Sequence, residues 1–151
     1  FYTADFFNDE HSKLPPGCTL VPILFASDST KLADQVGDHS LWPIYMSIGN
    51  LPASLRSRPS TNSWILDGIE RTHTKSYMEE KYKALKDDAI HGVITVLLKD
   101  LDRFYERGLR LDCADGKIRN GRPILAGWIA DYQEYNKLCQ IKSMGCAVCE
   151  I

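Results

Sequence analysis

The sequence has no long apolar run. No 18 consecutive residues are hydrophobic enough to suggest a membrane span. The opening FYTADFFNDEHSK lacks the basic flank and apolar stretch of a signal peptide, and it lacks a starting methionine. With CAVCEI closing the chain just after a cysteine pair, both ends are expected to be cut from a longer protein. There is no basic excess: 18 Lys and Arg stand against 20 Asp and Glu, for a formal charge of -2. The overall charge therefore does not advertise a polyanion partner. There is no G-x-x-x-x-G-K-[ST] stretch to cradle nucleotide phosphates, and no Ser/His/Asp or Cys/His arrangement has local support. His11, His39, His73 and His91 are scattered, and His91 reads as an exposed or capped helix residue. The five cysteines are an odd number without the spacing of a small secreted framework, so an intracellular, reducing location is expected.

What is present is ordinary globular material. The 151 residues are 44% hydrophobic and 25% charged, enough for one domain with a core. Residues 1–18 read as a partly ordered lead-in closed by the turn Pro15-Pro16-Gly17. Thr19–Ala26 is short, apolar and partly β-branched, which predicts a buried strand. Residues 29–41 are a polar connection, Trp42–Ile48 a second strand, and Pro52–Asn62 a loop or short helical turn. Trp64–Ile69 reads as a third strand. Lys75–Arg107 carries apolar residues every three or four positions and predicts one long helix that ends at Gly108. Its apolar stripe would be Met78, Leu85, Ala89, Val93, Leu97, Leu101 and Phe104, with Glu79, Lys83, Lys86 and Asp87 toward water. Leu109–Cys113 and Pro123–Ala130 are further strands, separated by an Asp115-Gly116 turn. Trp42, Trp64 and Trp128 lie in or beside strands and are expected in the core.

Two apolar runs end in an aspartate: VPILFASD at Asp28 and PILAGWIAD at Asp131. Asp is an ordinary turn residue, so each is explained by a strand running into a turn. The alternative is chemical. Open α/β sheets place sites at the carboxyl ends of parallel strands, and two carboxylates brought together repel unless a cation sits between them. Mg²⁺ favours a few carboxylates plus waters and phosphate oxygens, and paired ions serve phosphodiester chemistry.

The phrases VPILFASDST, WPIYMSIGNLPASLRSRPS, PILAGWIADYQE and CAVCE, in this order, resemble the Plavaka-type transposases of fungi, in the Kyakuja–Dileera–Zisupton group. That family shows a strand into S-D-K-T, then W-P-V-Y-L-T-I-G-N-I-P, an R-x-x-P element, and P-I-L-A-a-y-x-x-D-Y-P-E followed by C-P-x-C. The resemblance covers residues 19–151. It implies an α/β fold, an incomplete ribonuclease-H-like mixed sheet with one long helix, truncated before its third acidic residue. It implies DNA transposition by metal-dependent strand cleavage and transfer in the full-length parent. Asp28 and Asp131 would be the first two catalytic acids and would hold Mg²⁺ or Mn²⁺. The third acid should lie on a helix beyond Ile151; neither Glu134 nor Glu150 fits that position. The implied partner is transposon-end DNA, with no membrane, and the expected location is nuclear.

Three residues depart from the family pattern: Ser29 stands for its lysine, Gln133 for its proline, and Ala147 for the proline of C-P-x-C. They suggest a divergent or decaying copy. The alternative reading is therefore a non-catalytic transposase-derived remnant that acts as a binding or interaction module. Two further groups are candidates. Cys146 and Cys149 form a C-x-x-C that can take part in a Zn²⁺ site, with Cys139 as a third ligand and partners downstream. Arg56 and Arg58 are candidates for nucleic-acid phosphate contact.

Overall fold

The structure is a computed structural model that describes residues 5–31, 39–73, 79–141 and 145; for residues 31, 39–40, 70–73 and 79–87 it describes the backbone alone. The fold is mixed α/β. Helix α1 (Asp5–Ser12) leads into strand β1 (Cys18–Ser27), the two-residue strand β2 (Thr30–Lys31) and strand β3 (His39–Ile48). A short helix α2 (Ala53–Arg56) and a 3₁₀ turn (Pro59–Thr61) precede strand β4 (Ile65–His73). Helices α3 (Glu79–Leu98) and α4 (Leu101–Arg107) follow, then strands β5 (Leu109–Asp112) and β6 (Ile118–Ile129) and helix α5 (Tyr132–Leu138). The strands form one sheet in the order β2-β3-β1-β6-β5, with β4 also pairing β3.

Contacts divide the chain into two units. The first comprises Phe1–Leu24, Ser47–Trp64 and Leu98–Gly127, and the second Phe25–Met46, Ile65–Leu97 and Trp128–Ile151.

In the first unit, the lead-in carries a helix, and its Phe7 is buried. Leu20, Val21, Ile23 and Leu24 are all buried, so both faces of β1 are covered and the run is apolar without alternation. Gly121 on β6 allows a close approach: a β-carbon there would lie 3.1 Å from Val21 Cγ2 and 2.5 Å from Leu111 Cδ1. The β5–β6 hairpin turns at Asp115-Gly116, where Gly116 has φ 73°, a conformation that glycine adopts at little cost. Helix α4 is capped at its end by Gly108, whose N–H bonds to Phe104 O at 2.9 Å.

In the second unit, Phe25, Trp42, Ile44 and Ile90 form the apolar core. Trp128 packs on it, with ring centroids 5.0 Å from Phe25 and 6.4 Å from Trp42, the latter pair stacked. Strands β3 and β4 pair antiparallel with Ile44 opposite Gly68, and a register shift follows between Ile44 and Tyr45. A β-carbon at Gly68 would lie 3.6 Å from Val93 Cγ1 and 3.9 Å from Leu97 Cδ1, ordinary packing distances, so Val93 and Leu97 of α3 pack over the strand at this position.

The expected single helix over Lys75–Arg107 is two helices, with Lys99 and Asp100 between them. Apolar periodicity cannot reveal a break that leaves the pattern in phase. Asp100 sits before α4, its O accepting from Phe104 N–H at 2.9 Å and its carboxylate 3.1 Å from Arg103. The buried stripe also differs by one position. Ala89 is exposed and Ile90 is buried, with Val93 and Leu97 half-buried beyond it. The larger side chain takes the inward place because it removes more apolar surface from water. Leu101 and Phe104 are half-buried on α4. Met78 lies outside the described residues, as do the side chains of Glu79, Lys83, Leu85, Lys86 and Asp87.

Candidate functional site

Asp28 directly follows β1 and is exposed. Its place is set by the partner strand. Strands β2 and β3 pair antiparallel with Thr30 opposite Leu41, and counting back two residues sets Asp28 across from Pro43. Proline has no N–H to donate to a ladder. That accounts for the interruption at Asp28-Ser29 between β1 and β2. The apolar strand thus loses its pairing where its first carboxylate appears.

Asp131 follows β6 and is the N-cap of α5, with extended backbone at φ -73°, ψ 171°. Its Oδ1 accepts from the N–H of Glu134 at 2.7 Å, satisfying one of the orphan donors of the helix start. Asp131 is exposed. Its structural role is therefore an ordinary cap, and one carboxylate oxygen remains outside that bond.

The two strand ends are joined by buried polar groups. Ser27, the last residue of β1, donates from Oγ to Glu134 Oε2 at 2.8 Å. Trp128, near the end of β6, donates from Nε1 to the same Ser27 Oγ at 2.9 Å. Strands β1 and β6 are neighbours in the sheet. Tyr135 adds a bond from its hydroxyl to Trp128 O. Glu134 is 2% exposed, and its Oε1 is buried without a hydrogen-bond partner among the described residues.

Ser27, Trp128 and Glu134 did not figure among the candidate site residues read from the sequence. The legible signal was D-x-x-E over Asp131–Glu134, the spacing of a helix-start capping box. That spacing marks the helix start but says nothing of where the glutamate side chain goes.

The other candidates lie elsewhere. Arg56 and Arg58 belong to the first unit, where they line a cleft of about 350 Å³ with Ser57, Pro59, Asn62, Ser63 and Trp64. The segment 51–64 contains no acidic residue, and its backbone is held by its own side chains. Thr61 Oγ1 donates to Arg58 O at 2.7 Å and Leu55 O at 2.9 Å, and Arg56 Nη1 donates to Leu51 O at 3.1 Å. Arg58 is exposed. Cys146 and Cys149 lie outside the described residues, and Cys139 is exposed just after α5. Among the described residues, no three His, Cys, Asp or Glu side chains are grouped so as to hold a metal ion, and no helix is long and apolar enough to cross a membrane.

A family model described as Plavaka transposase matches residues 1–151. The chain belongs to the Plavaka transposase family. No curated protein and no solved structure matches it. In this Plavaka chain, the strand ends that meet around Ser27, Trp128 and Glu134 lie in the segments VPILFASDST and PILAGWIADYQE.

Proposed function

We propose that this Plavaka chain carries the first part of a ribonuclease-H-like catalytic core, of the fungal Kyakuja–Dileera–Zisupton type, that cuts and joins transposon-end DNA with Mg²⁺ or Mn²⁺. The observation that supports this reading is the meeting of two strand ends, one leading into Asp28 and the other into Asp131, through Ser27, Trp128 and Glu134. Both aspartates are exposed, and solvated carboxylates are the hard oxygen ligands that these cations favour. A bound ion would supply positive charge to activate the attacking oxygen and stabilise the leaving one. The protein's own part is to hold the carboxylates. The Glu134 N–H fixes Asp131 Oδ1, and the ladder gap across from Pro43 sets Asp28 outside the strand pairing.

Two carboxylates make an incomplete site, and the family resemblance puts the third acid on a later helix. A Zn²⁺ site that includes Cys146 and Cys149 belongs to the same proposal. So does phosphate contact by Arg56 and Arg58, supported by their acid-free cleft.

The test is DNA nicking by the full-length protein in the presence of Mn²⁺. Asp28→Ala and Asp131→Ala should each reduce the rate on the order of a hundredfold or more, since even a misplacement of about 1 Å can cost that much. The 151 residues alone should bind Mn²⁺ weakly and leave DNA intact. Unchanged nicking by either aspartate variant would remove the assignment. One observation favours the second reading, a non-catalytic remnant that keeps the fold as an interaction module. Asp131 is already accounted for as a helix cap.

A further inference from the structure

We infer that Glu134 is a positioning residue that holds the two aspartate-bearing strand ends in register with each other. The inference rests on the metal-site reading of Asp28 and Asp131 and adds to it a residue outside the pair.

One residue reaches both sides. Through its backbone, Glu134 donates its N–H to Asp131 Oδ1 at 2.7 Å. Through its side chain, it accepts from Ser27 Oγ at 2.8 Å, and Ser27 is bonded covalently to Asp28. Trp128 closes the arrangement from β6 by donating to Ser27 Oγ at 2.9 Å. The Ser27 hydroxyl therefore accepts from the indole and donates to the carboxylate, which fixes its rotor. Rotation of α5 about its cap would move the Asp131 carboxylate and pull on the residue before Asp28 together.

Two features separate this from ordinary capping. In a capping box, the glutamate at the third helical position reaches back to the backbone N–H of the N-cap residue. Glu134 has that position relative to Asp131, yet its carboxylate turns inward to a strand 107 residues away in sequence. It is also costly. The residue is 2% exposed, and Oε1 is buried with no hydrogen-bond partner among the described residues. A buried carboxylate left half-satisfied destabilises a fold, and an apolar residue of similar volume would serve packing better. A buried polar group of this kind calls for a role. Anchoring the supports of exposed ligands is one, because partners behind the ligands orient them and commonly set metal affinity by about 10- to 100-fold.

The test measures Mn²⁺ binding to the full-length protein by the electron paramagnetic resonance signal of free Mn²⁺, alongside thermal melting. Glu134→Gln keeps an oxygen that can accept from Ser27 and should stay within about threefold of the wild-type affinity. Glu134→Ala should weaken binding by about tenfold. Ser27→Ala removes the same bond with a smaller change in volume and should weaken binding in the same direction; it decides the matter if Glu134→Ala does not fold. Amide hydrogen exchange supplies a readout without metal: Ser27→Ala and Glu134→Ala should speed exchange at the backbone N–H of position 134 that Asp131 holds. If Asp28→Ala and Asp131→Ala weaken Mn²⁺ binding while Ser27→Ala and any folded Glu134→Ala leave affinity and exchange unchanged, this inference fails and the metal site stands. If neither aspartate variant changes affinity, or the wild type binds no Mn²⁺, the metal-site reading fails and takes the inference with it.

Discussion

Asp115 and Asp131 both lie beside strands, and on paper either is a turn residue. Their surroundings differ. Asp115, in the β5–β6 hairpin, is answered at once by a cation: Arg119 Nη1 reaches Oδ1 at 2.9 Å and Arg119 Nη2 reaches Oδ2 at 2.7 Å, while Lys117 N–H adds a third bond at 3.1 Å. The paired guanidinium and the backbone donor lower the Asp115 pKa from the ordinary 3.8 to about 2. Asp131 receives one neutral backbone donor, and among the described residues no Lys, Arg or His forms an ion pair with it. One carboxylate has its charge met within its own turn; the other keeps an oxygen and a charge for something else. The comparison separates a carboxylate used for local structure from one with capacity left over, and strand-end position alone does not make that distinction.

The sharpest way to break the comparison is at Asp131 itself. Asn is as good an N-cap as Asp but carries no charge. Asp131→Asn should keep thermal stability close to wild type while reducing Mn²⁺-dependent nicking on the order of a hundredfold. Asp131→Ala should lose both, with about 1 kcal/mol of stability from the missing cap. Equal activity in the Asn variant would put Asp131 in the same class as Asp115.

Next in size is a change away from both carboxylates, which should affect stability alone. Ile90 is 2% exposed on α3, and Ile90→Ala should cost about 2 to 5 kcal/mol in chemical denaturation. Leu97→Ala, at a half-buried position, should cost less. The reverse order would mean that the stripe runs through Ala89 after all.

The smallest effect belongs to Asp115. Its pKa in the fold lies below the ordinary value, so the pairing favours the folded state above about pH 3.8, and that contribution is lost as pH falls through about 2. Arg119→Ala should move the Asp115 titration, followed by carboxyl-carbon NMR, part of the way back toward 3.8, with the Lys117 N–H still lowering it. Because the pair is solvent-exposed, overall stability should barely change. An unmoved titration would show that the turn backbone, rather than the arginine, holds the charge.

Much of the fold was legible in the sequence. The strands expected at Thr19–Ala26, Trp42–Ile48 and Pro123–Ala130 are short apolar runs bounded by turn residues, and the structure has them as β1, β3 and β6. Strand β6 starts earlier than expected because Ile118–Arg122 is polar on its way out of the hairpin, and hydrophobicity does not mark it. The helix in the lead-in was hidden because only Phe7 of Asp5–Ser12 is buried. The break at Lys99-Asp100 was hidden because the stripe continues in phase. At the candidate site, both aspartates were readable from where their runs stop. The bonds behind them were not, because Ser27 and Glu134 are far apart in sequence and each looks locally like turn or cap chemistry.

The stacked tryptophans also give the protein an optical reporter. Trp42 and Trp128 lie with centroids 6.4 Å apart and planes 15° from parallel, close enough for their excited states to mix. The Trp128 indole N–H is hydrogen-bonded to the residue before Asp28. A paramagnetic ion bound as proposed beside Asp28 would quench this emission. Near-ultraviolet circular dichroism and tryptophan emission can therefore follow events at the strand end in unlabelled protein.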